Sequence, residues 1–254
     1  IFRGAKYVIS NRQDSLTAQR EQTESQTLTF GLDRPSKGNF GLAVHDHQES
    51  LFYGSQVLLS VEEVAMKGRH NIGNALAALA LGHAAGLPIV SMLETLRTFK
   101  GLPHRCEAIA TIDNVSYIND SKGTNIGATL AAIEGFGSDS YKNLLLIAGG
   151  QGKGQDFDGL KEAADSFVKC GFLYGEDAQQ LEDALHSVTK VYRADSLVEA
   201  VAVAKSAARP GDIVLLSPAC ASFDSFTGFE ERGHCFSQAV LSPVKTGSRE
   251  GMTS

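Results

Sequence analysis

Two short runs constrain this chain more than any other feature: Leu144-Leu145-Leu146-Ile147 and Ile213-Val214-Leu215-Leu216 carry no polar residue at any position. Alternate residues of a strand point to opposite faces, so such a run is stable only where both faces are covered. Central parallel strands between two layers of helices meet that condition. The neighbouring pattern agrees. Strand-like segments at Asn143 to Ala148, Phe172 to Tyr174, Lys190 to Arg193 and Asp212 to Ser217 alternate with helical stretches from Phe157, from Ala178, over Ser196 to Ala208 and over Phe229 to Leu241. Before them, Glu107 to Ile112 and Val115 to Asn119 flank an Asp113-Asn114 turn. The expected fold class is α/β, a Rossmann-like and mostly parallel sheet, ending the chain.

The region before Gly101-Leu102-Pro103 reads differently. Lys6 to Ser10, Gln26 to Phe30, Phe40 to Val44 and Leu51 to Tyr53 are short alternating runs between polar or glycine-bearing turns, which predicts sheet with hairpins. Ile72, Ala75, Leu76, Leu79 and Ala80 follow helical spacing within Asn71 to Ala85, and a second helix is expected over Ser91 to Phe99. A chain of 254 residues suits one large or two modest domains, so the expected boundary lies near Leu102, giving 1–102 and 103–254. No internal repeat is visible, and the polar tail from Lys245 is expected to fray.

Charge and hydropathy exclude whole classes. The net charge of −6 offers no basic field for a phosphate backbone, so nucleic acid is not expected as a partner. The longest apolar stretch, Ala75 to Leu81, falls far short of the ~20 residues of a membrane-spanning helix, so no membrane role is expected. Cys106, Cys170, Cys220 and Cys235 form no CxxC pair and no zinc spacing, which predicts separate thiols in a reducing compartment. The sequence opens Ile-Phe-Arg-Gly, without an initiator Met or a signal-peptide pattern, and further sequence is expected upstream.

Open parallel sheets bind ligands beyond the carboxyl ends of their strands. The segments in that position are Asn119-Asp120-Ser121-Lys122-Gly123-Thr124-Asn125, Gly149-Gly150-Gln151-Gly152-Lys153-Gly154 and Ser217-Pro218-Ala219-Cys220-Ala221-Ser222. Each offers hydroxyls or backbone amides near a helix start, and two add a lysine, which suits a dicarboxylate or a phosphate. Turn geometry alone also enriches such loops in Gly, Ser and Asn, and for a single loop that explanation would suffice. Lys153 is followed by Gly154 rather than Ser or Thr, and the glycine spacing is not G-x-G-x-x-G, so neither nucleotide motif is satisfied. His45-Asp46-His47 has no third ligand nearby and reads as a polar strand end; Cys220 lacks a paired base and reads as a small packed residue. Asn71 and Asn74 share a helix face and, on periodicity alone, are its polar edge.

Taken together, Gly101-Leu102-Pro103-His104-Arg105, the Asn119 to Asn125 segment, and Leu216 to Phe226 continuing through Phe229-Glu230-Glu231-Arg232-Gly233 to Phe236 resemble the Mur ligases, and among them the members that add D-glutamate. The resemblance is weakest before Lys67 and after Leu241. It implies a cytoplasmic, monomeric, ATP- and Mg2+-dependent enzyme of peptidoglycan synthesis, in which the carboxylate of UDP-N-acetylmuramoyl-L-alanine becomes an acyl phosphate and the amine of D-glutamate attacks it. It implies, further, that Asn71 and Asn74 hold adenine, that Arg105 and Asp120 lie near the ATP phosphates and ribose, and that Lys122 stands between the activated phosphate and the amino acid. Thr124, Lys153, Ser222, Phe223 and Phe229 are implied for the D-glutamate pocket, with Phe229 closing one side of it. The family's UDP-binding domain, P-loop and magnesium ligands would precede residue 1, making 1–102 the end of the central ATP-binding domain and 103–254 the amino-acid-binding domain. Cys106 stands where the family often has an aromatic residue, a difference expected to affect packing only. Two other readings remain open at this point: a Rossmann-type oxidoreductase, for which the dinucleotide fingerprint is missing, and a non-catalytic binding module.

Overall fold

The computed structural model describes residues 4–15, 25–66, 68–138 and 140–242, and the expected frayed tail lies outside them. The chain separates into two compact units, 1–101 and 102–254.

In the first unit, strands β1 (Tyr7–Asn11) and β2 (Gln26–Phe30) pair in parallel, in register Tyr7 with Gln26 through Asn11 with Phe30. This corrects the hairpin reading for these two runs: alternation reports a half-buried strand and carries no information on the direction of its partner. The hairpin pattern holds for β3 (Phe40–His45), β4 (Gln48–Tyr53) and β5 (Gln56–Ser60), an antiparallel meander. Asp46 and His47 form its first turn with φ of 48° and 63°, the left-handed pair that matches a two-residue hairpin to strand twist. The His-Asp-His run is thus a turn. Helices α1 (Arg69–Ala84) and α2 (Ile89–Thr98) bury Ile72, Leu76, Leu79 and Leu96 with Phe40, Leu42, Leu51 and Leu59 in one core.

The second unit is a six-stranded sheet in the order β10-β9-β8-β11-β7-β6. Its strands are β6 (Glu107–Ile112), β7 (Val115–Asn119), β8 (Leu144–Gly149), β9 (Val168–Tyr174), β10 (Lys190–Arg193) and β11 (Ile213–Leu216). Only β6 runs antiparallel, joined to β7 by Asp113 and Asn114 in a second left-handed turn. Every residue of β8 is buried. Its side chains divide by parity: Leu144, Leu146 and Ala148 join Ile133 of α3 (Ile126–Phe136), Ala164 of α4 (Lys161–Phe167) and Leu181 of α5 (Ala178–Leu185) in one core. Leu145 and Ile147 join Val201 of α6 (Leu197–Ala207) and Phe236 of α7 (Phe229–Leu241) in the other. The sheet is therefore covered on both faces, as the apolar runs require.

Strand order fixes where a ligand can enter. From β8 the chain steps outward to β9 and β10 with α4 and α5 on one face, then returns through α6 on the other face to place β11 beside β8. The helices following β8 and β11 thus leave toward opposite faces. That is a topological switch point, and the loops Gly149 to Gly154 and Ser217 to Ser222 are where a ligand is expected to meet the sheet.

Candidate functional site

The loops at this edge are held from below by buried polar groups. The Asp120 carboxylate, at the end of β7, accepts from the Ser217 hydroxyl at 2.8 Å and from the Cys106 backbone N–H at 3.3 Å, while its own N–H donates to the Leu216 carbonyl at 2.8 Å. Burial raises its carboxyl to about 6, against the lowering effect of those hydrogen bonds. Thr129 on α3 accepts from the Ala219 N–H at 3.0 Å and donates to the Ser217 carbonyl at 3.3 Å. The loops after β7 and β11 are in this way tied through α3.

Glycine is required where the loops after β8 and β11 meet. Gly149 and Gly150 have φ of 139° and 121°, and a methyl on either would collide with the carbonyl of Tyr174 or of Ala221. This explains the paired glycines without a nucleotide. Just beyond, Gln151 and Ala221 exchange backbone hydrogen bonds of 2.9 Å in each direction. Lys153 and Ser222 consequently stand at the same end of the sheet.

Arg232 on α7 is fully buried and reaches all of these loops. One terminal nitrogen donates to the carbonyls of Ser121 and Cys220, both at 2.9 Å, and the other to the Gly149 carbonyl at 3.4 Å. Among the described residues no carboxylate lies within ion-pair distance of it. The guanidinium thus satisfies carbonyls from three loops and leaves a positive charge beneath them. Its place in the sequence carried a signal: Arg232 and Gly233 interrupt an apolar stripe running through Phe229, Phe236 and Val240 at helical spacing. His104 was also missed as a site residue. It is buried with φ 65°, packs edge-on to Phe229 with ring centroids 5.8 Å apart, and its carbonyl accepts the Lys122 N–H at 3.0 Å.

On the rim, each lysine lies over an aromatic ring. The Lys122 ammonium is 3.7 Å from the Phe229 ring centroid, and the Lys153 ammonium is 5.4 Å from that of Phe223. Phe229 therefore underlies Lys122, whereas the ring beside Lys153 is Phe223, which is 64% exposed. Thr124 is half-buried, two residues beyond Lys122, and Ser222 is buried; their hydroxyls have no protein partner among the described residues. The first turn of α7 begins at Phe229 with no side-chain cap and carries Glu230 and Glu231. Arg105 is exposed, preceding Cys106. Asn71 and Asn74 belong to α1 of the first unit, where the Asn74 amide donates to the Asn71 side-chain oxygen at 3.4 Å.

A cavity of about 340 Å3 lies on the flank of this loop cluster, lined in part by Asp156, Asp158 and Asp183. Its three carboxylates, of which Asp158 is paired with Lys161 at 2.8 Å, make it a poor place for an anion, and the loops that carry Lys122 and Lys153 are better suited. All four cysteines are free. Burial pushes the Cys220 thiol up to about 12 and holds Cys106 higher still, so neither is a ready nucleophile. No group of three or more His, Cys, Asp or Glu suited to a metal occurs among the described residues.

Comparison with known proteins bears on this geometry directly. Residues 104–220 match the model of the "Mur ligase, glutamate ligase domain". The chain is 50% identical over 242 residues to the UDP-N-acetylmuramoylalanine–D-glutamate ligase of Legionella pneumophila (strain Paris), covering 94% of this chain and 54% of that protein. It is 49% identical over 240 residues to the ligase of the same name from Pseudomonas fluorescens (strain Pf0-1), again covering 54% of it. The chain thus spans about half the length of the curated relatives it matches. Among solved structures, MurF from Acinetobacter baumannii shares the fold with a TM-score of 0.64 at 16% identity, over 93% of this chain and 52% of that one. On these likenesses, residues 104–220 match the glutamate ligase domain of the Mur ligases, and 94% of the chain is similar to D-glutamate-adding members of that family.

Proposed function

We propose that this chain is the amino-acid-accepting portion of an ATP-dependent ligase that joins D-glutamate to UDP-N-acetylmuramoyl-L-alanine. What supports the proposal is that the loops bearing Lys122 and Thr124, Lys153, and Ser222 follow β7, β8 and β11 at one end of the sheet and are tied together by the buried Arg232. Two lysines and two hydroxyls on neighbouring loops suit an amino acid bearing two carboxylates. Residues 103–254 act as the amino-acid-binding domain, and 1–102 supply the end of the ATP-binding domain, with Asn71 and Asn74 facing adenine. A cytoplasmic monomer fits this assignment, and no helix among the described residues is long and apolar enough to cross a membrane.

In this reading Lys153, Ser222 and Phe223 hold and orient the side-chain carboxylate of D-glutamate, and Lys122 and Thr124 receive the α-carboxylate side nearest the acyl phosphate. ATP, when bound with Mg2+, supplies the phosphoryl group that activates the uridine-linked substrate's carboxyl. The amine then attacks the acyl carbon, the C–O bond to phosphate breaks, and an amide remains. Lys122 stabilises negative charge on that tetrahedral centre. Arg105, exposed beside Asp120, is placed to meet phosphate oxygens. Asp120 itself is committed to Ser217 and Cys106, so it shapes the loop that presents Lys122.

Calorimetric titration of the chain with D-glutamate, L-glutamate, ATP and NAD tests the reading. Preferential heat with D-glutamate is expected, and binding of NAD alone would place the chain with the oxidoreductases instead. Lys153→Ala removes a charge-assisted hydrogen bond worth roughly 1.5–3 kcal/mol, so D-glutamate affinity should fall about 10- to 150-fold with ATP binding nearly unchanged.

A further inference from the structure

We propose that Gln155 is a positioning residue, whose side-chain amide clasps three loops and thereby sets where Lys153 stands. The inference rests on the D-glutamate reading for the identity of the ligand, though not for the clasp. The Gln155 amide oxygen accepts from the Ile126 N–H at 3.2 Å, the first residue of α3. Its nitrogen donates to the Gly152 carbonyl at 2.8 Å and to the Ala219 carbonyl at 3.0 Å. One side chain therefore joins the loops after β7, β8 and β11. Only an amide has this complement, an acceptor on one arm and donors on the other.

The carbonyls it holds are not arbitrary ones. Lys153 and Ala219 are both left-handed, with φ of 56° and 58°, a conformation that residues with a Cβ avoid unless their surroundings impose it. Gln155 grips Ala219 itself and the residue immediately before Lys153. On the opposite side of the loop, the Asp177 carboxylate accepts the Gly152 N–H at 2.6 Å. Gly152 is thus fixed through both its N–H and its carbonyl. Lys153 is exposed and, among the described residues, its side chain contacts only the Phe223 ring, so its direction follows from the backbone that Gln155 fixes. The cation's reach toward a carboxylate beside Ser222 depends on that direction.

Gln155→Met and Gln155→Glu divide the clasp into its parts, tested in the full 254-residue chain. Amide hydrogen exchange should quicken at Ile126 in the Met variant alone, because Glu keeps an acceptor there. Exchange at Gln151 and Ala221 should quicken in both, since both lose the side-chain donor to Ala219 and leave Gly152 only the backbone N–H of residue 155, while Leu145 and Leu146 of β8 serve as the unmoved control. D-Glutamate titrated into the same samples should bind about 3- to 30-fold more weakly in both variants, the loss expected for one or two neutral hydrogen bonds. Unchanged exchange at Gln151 and Ala221 would overturn the clasp. So would a change that spreads equally into β8, which would mark Gln155 as a general stability residue. A wild-type chain that ignores D-glutamate, with the exchange pattern as stated, would count against the ligand reading and still support the clasp.

Discussion

Beneath the loops that follow β7, β8 and β11, the side chains of Asp120, Ser217, Thr129 and Arg232 are all buried; those of Asp120, Thr129 and Arg232 bond backbone groups of a neighbouring loop, and the Ser217 hydroxyl donates to the Asp120 carboxylate. Above the same loops, Lys153 and Phe223 are exposed and touch little but each other. The floor has the density of partners typical of a folded core, and the rim has the sparseness of a surface waiting for a ligand. The difference teaches how the labour is divided: the floor fixes the loops when the unit folds, and the rim is left to meet substrate. Floor substitutions should therefore change stability first, and rim substitutions binding first.

The sharpest way to break this division is Arg232→Met. It leaves the carbonyls of Ser121, Cys220 and Gly149 without their donor, and each orphaned buried acceptor costs roughly 1–3 kcal/mol. With partial access of water, about 3–5 kcal/mol should be lost in urea unfolding. A loss below about 1 kcal/mol would show that the floor does not hold the loops, and that the contrast with the rim is false.

Next in size is the pH dependence of the floor. Burial raises the Asp120 carboxyl from 3.8 to about 6, so the folded state binds that proton more tightly than the unfolded state does. Its contribution is present in full below the unfolded value, near pH 4, and is lost as pH rises through the folded one. From about pH 4 to pH 7 the decline is on the order of 3 kcal/mol. Asp120→Asn should flatten that part of the stability profile while keeping an acceptor for Cys106. An Asn variant with the same slope as wild type would place the titration elsewhere. Smaller again is Thr129→Val, which deprives the Ala219 N–H of its acceptor and the Ser217 carbonyl of its donor, for about 1–2.5 kcal/mol in the same assay.

Floor and rim also differed in how well the sequence announced them. Lys122 and Lys153 were found because each follows a strand whose apolar character is local, and the rule that ligands meet strand ends needs nothing more. The floor is made of pairs remote in sequence, such as Arg232 with Ser121, separated by 111 positions, and no local pattern reports a hydrogen bond of that span. For the same reason, the sequence reading sets Phe229 at one side of the Lys153 pocket, whereas its ring lies under Lys122. In the first unit, alternation revealed β1 and β2 as strands and was silent on their parallel pairing. Helix α3 was not drawn as a separate element, since Gly127, Gly135 and several small residues dilute its apolar stripe; it is recognisable at Asn125, whose side chain caps it by accepting the Ala128 N–H at 3.0 Å.

The smallest expected effect has the opposite sign and sharpens the comparison most finely. Lys153 is a rim residue whose backbone, at φ 56°, is left-handed. A residue with a Cβ is disfavoured there by about 1–2 kcal/mol, whereas glycine is not, although glycine also makes the unfolded chain more flexible by roughly half that amount. Lys153→Gly should therefore stabilise the unit by about 0.5–1 kcal/mol while weakening D-glutamate binding at least as much as Lys153→Ala does. Lys153→Ala keeps the strain, loses the charge, and should leave stability within about 0.5 kcal/mol of wild type. Urea unfolding and D-glutamate titration on the two variants separate the backbone of this position from its ammonium. If glycine destabilises the unit, Lys153 is contributing packing to the floor, and the boundary between floor and rim lies on the far side of it.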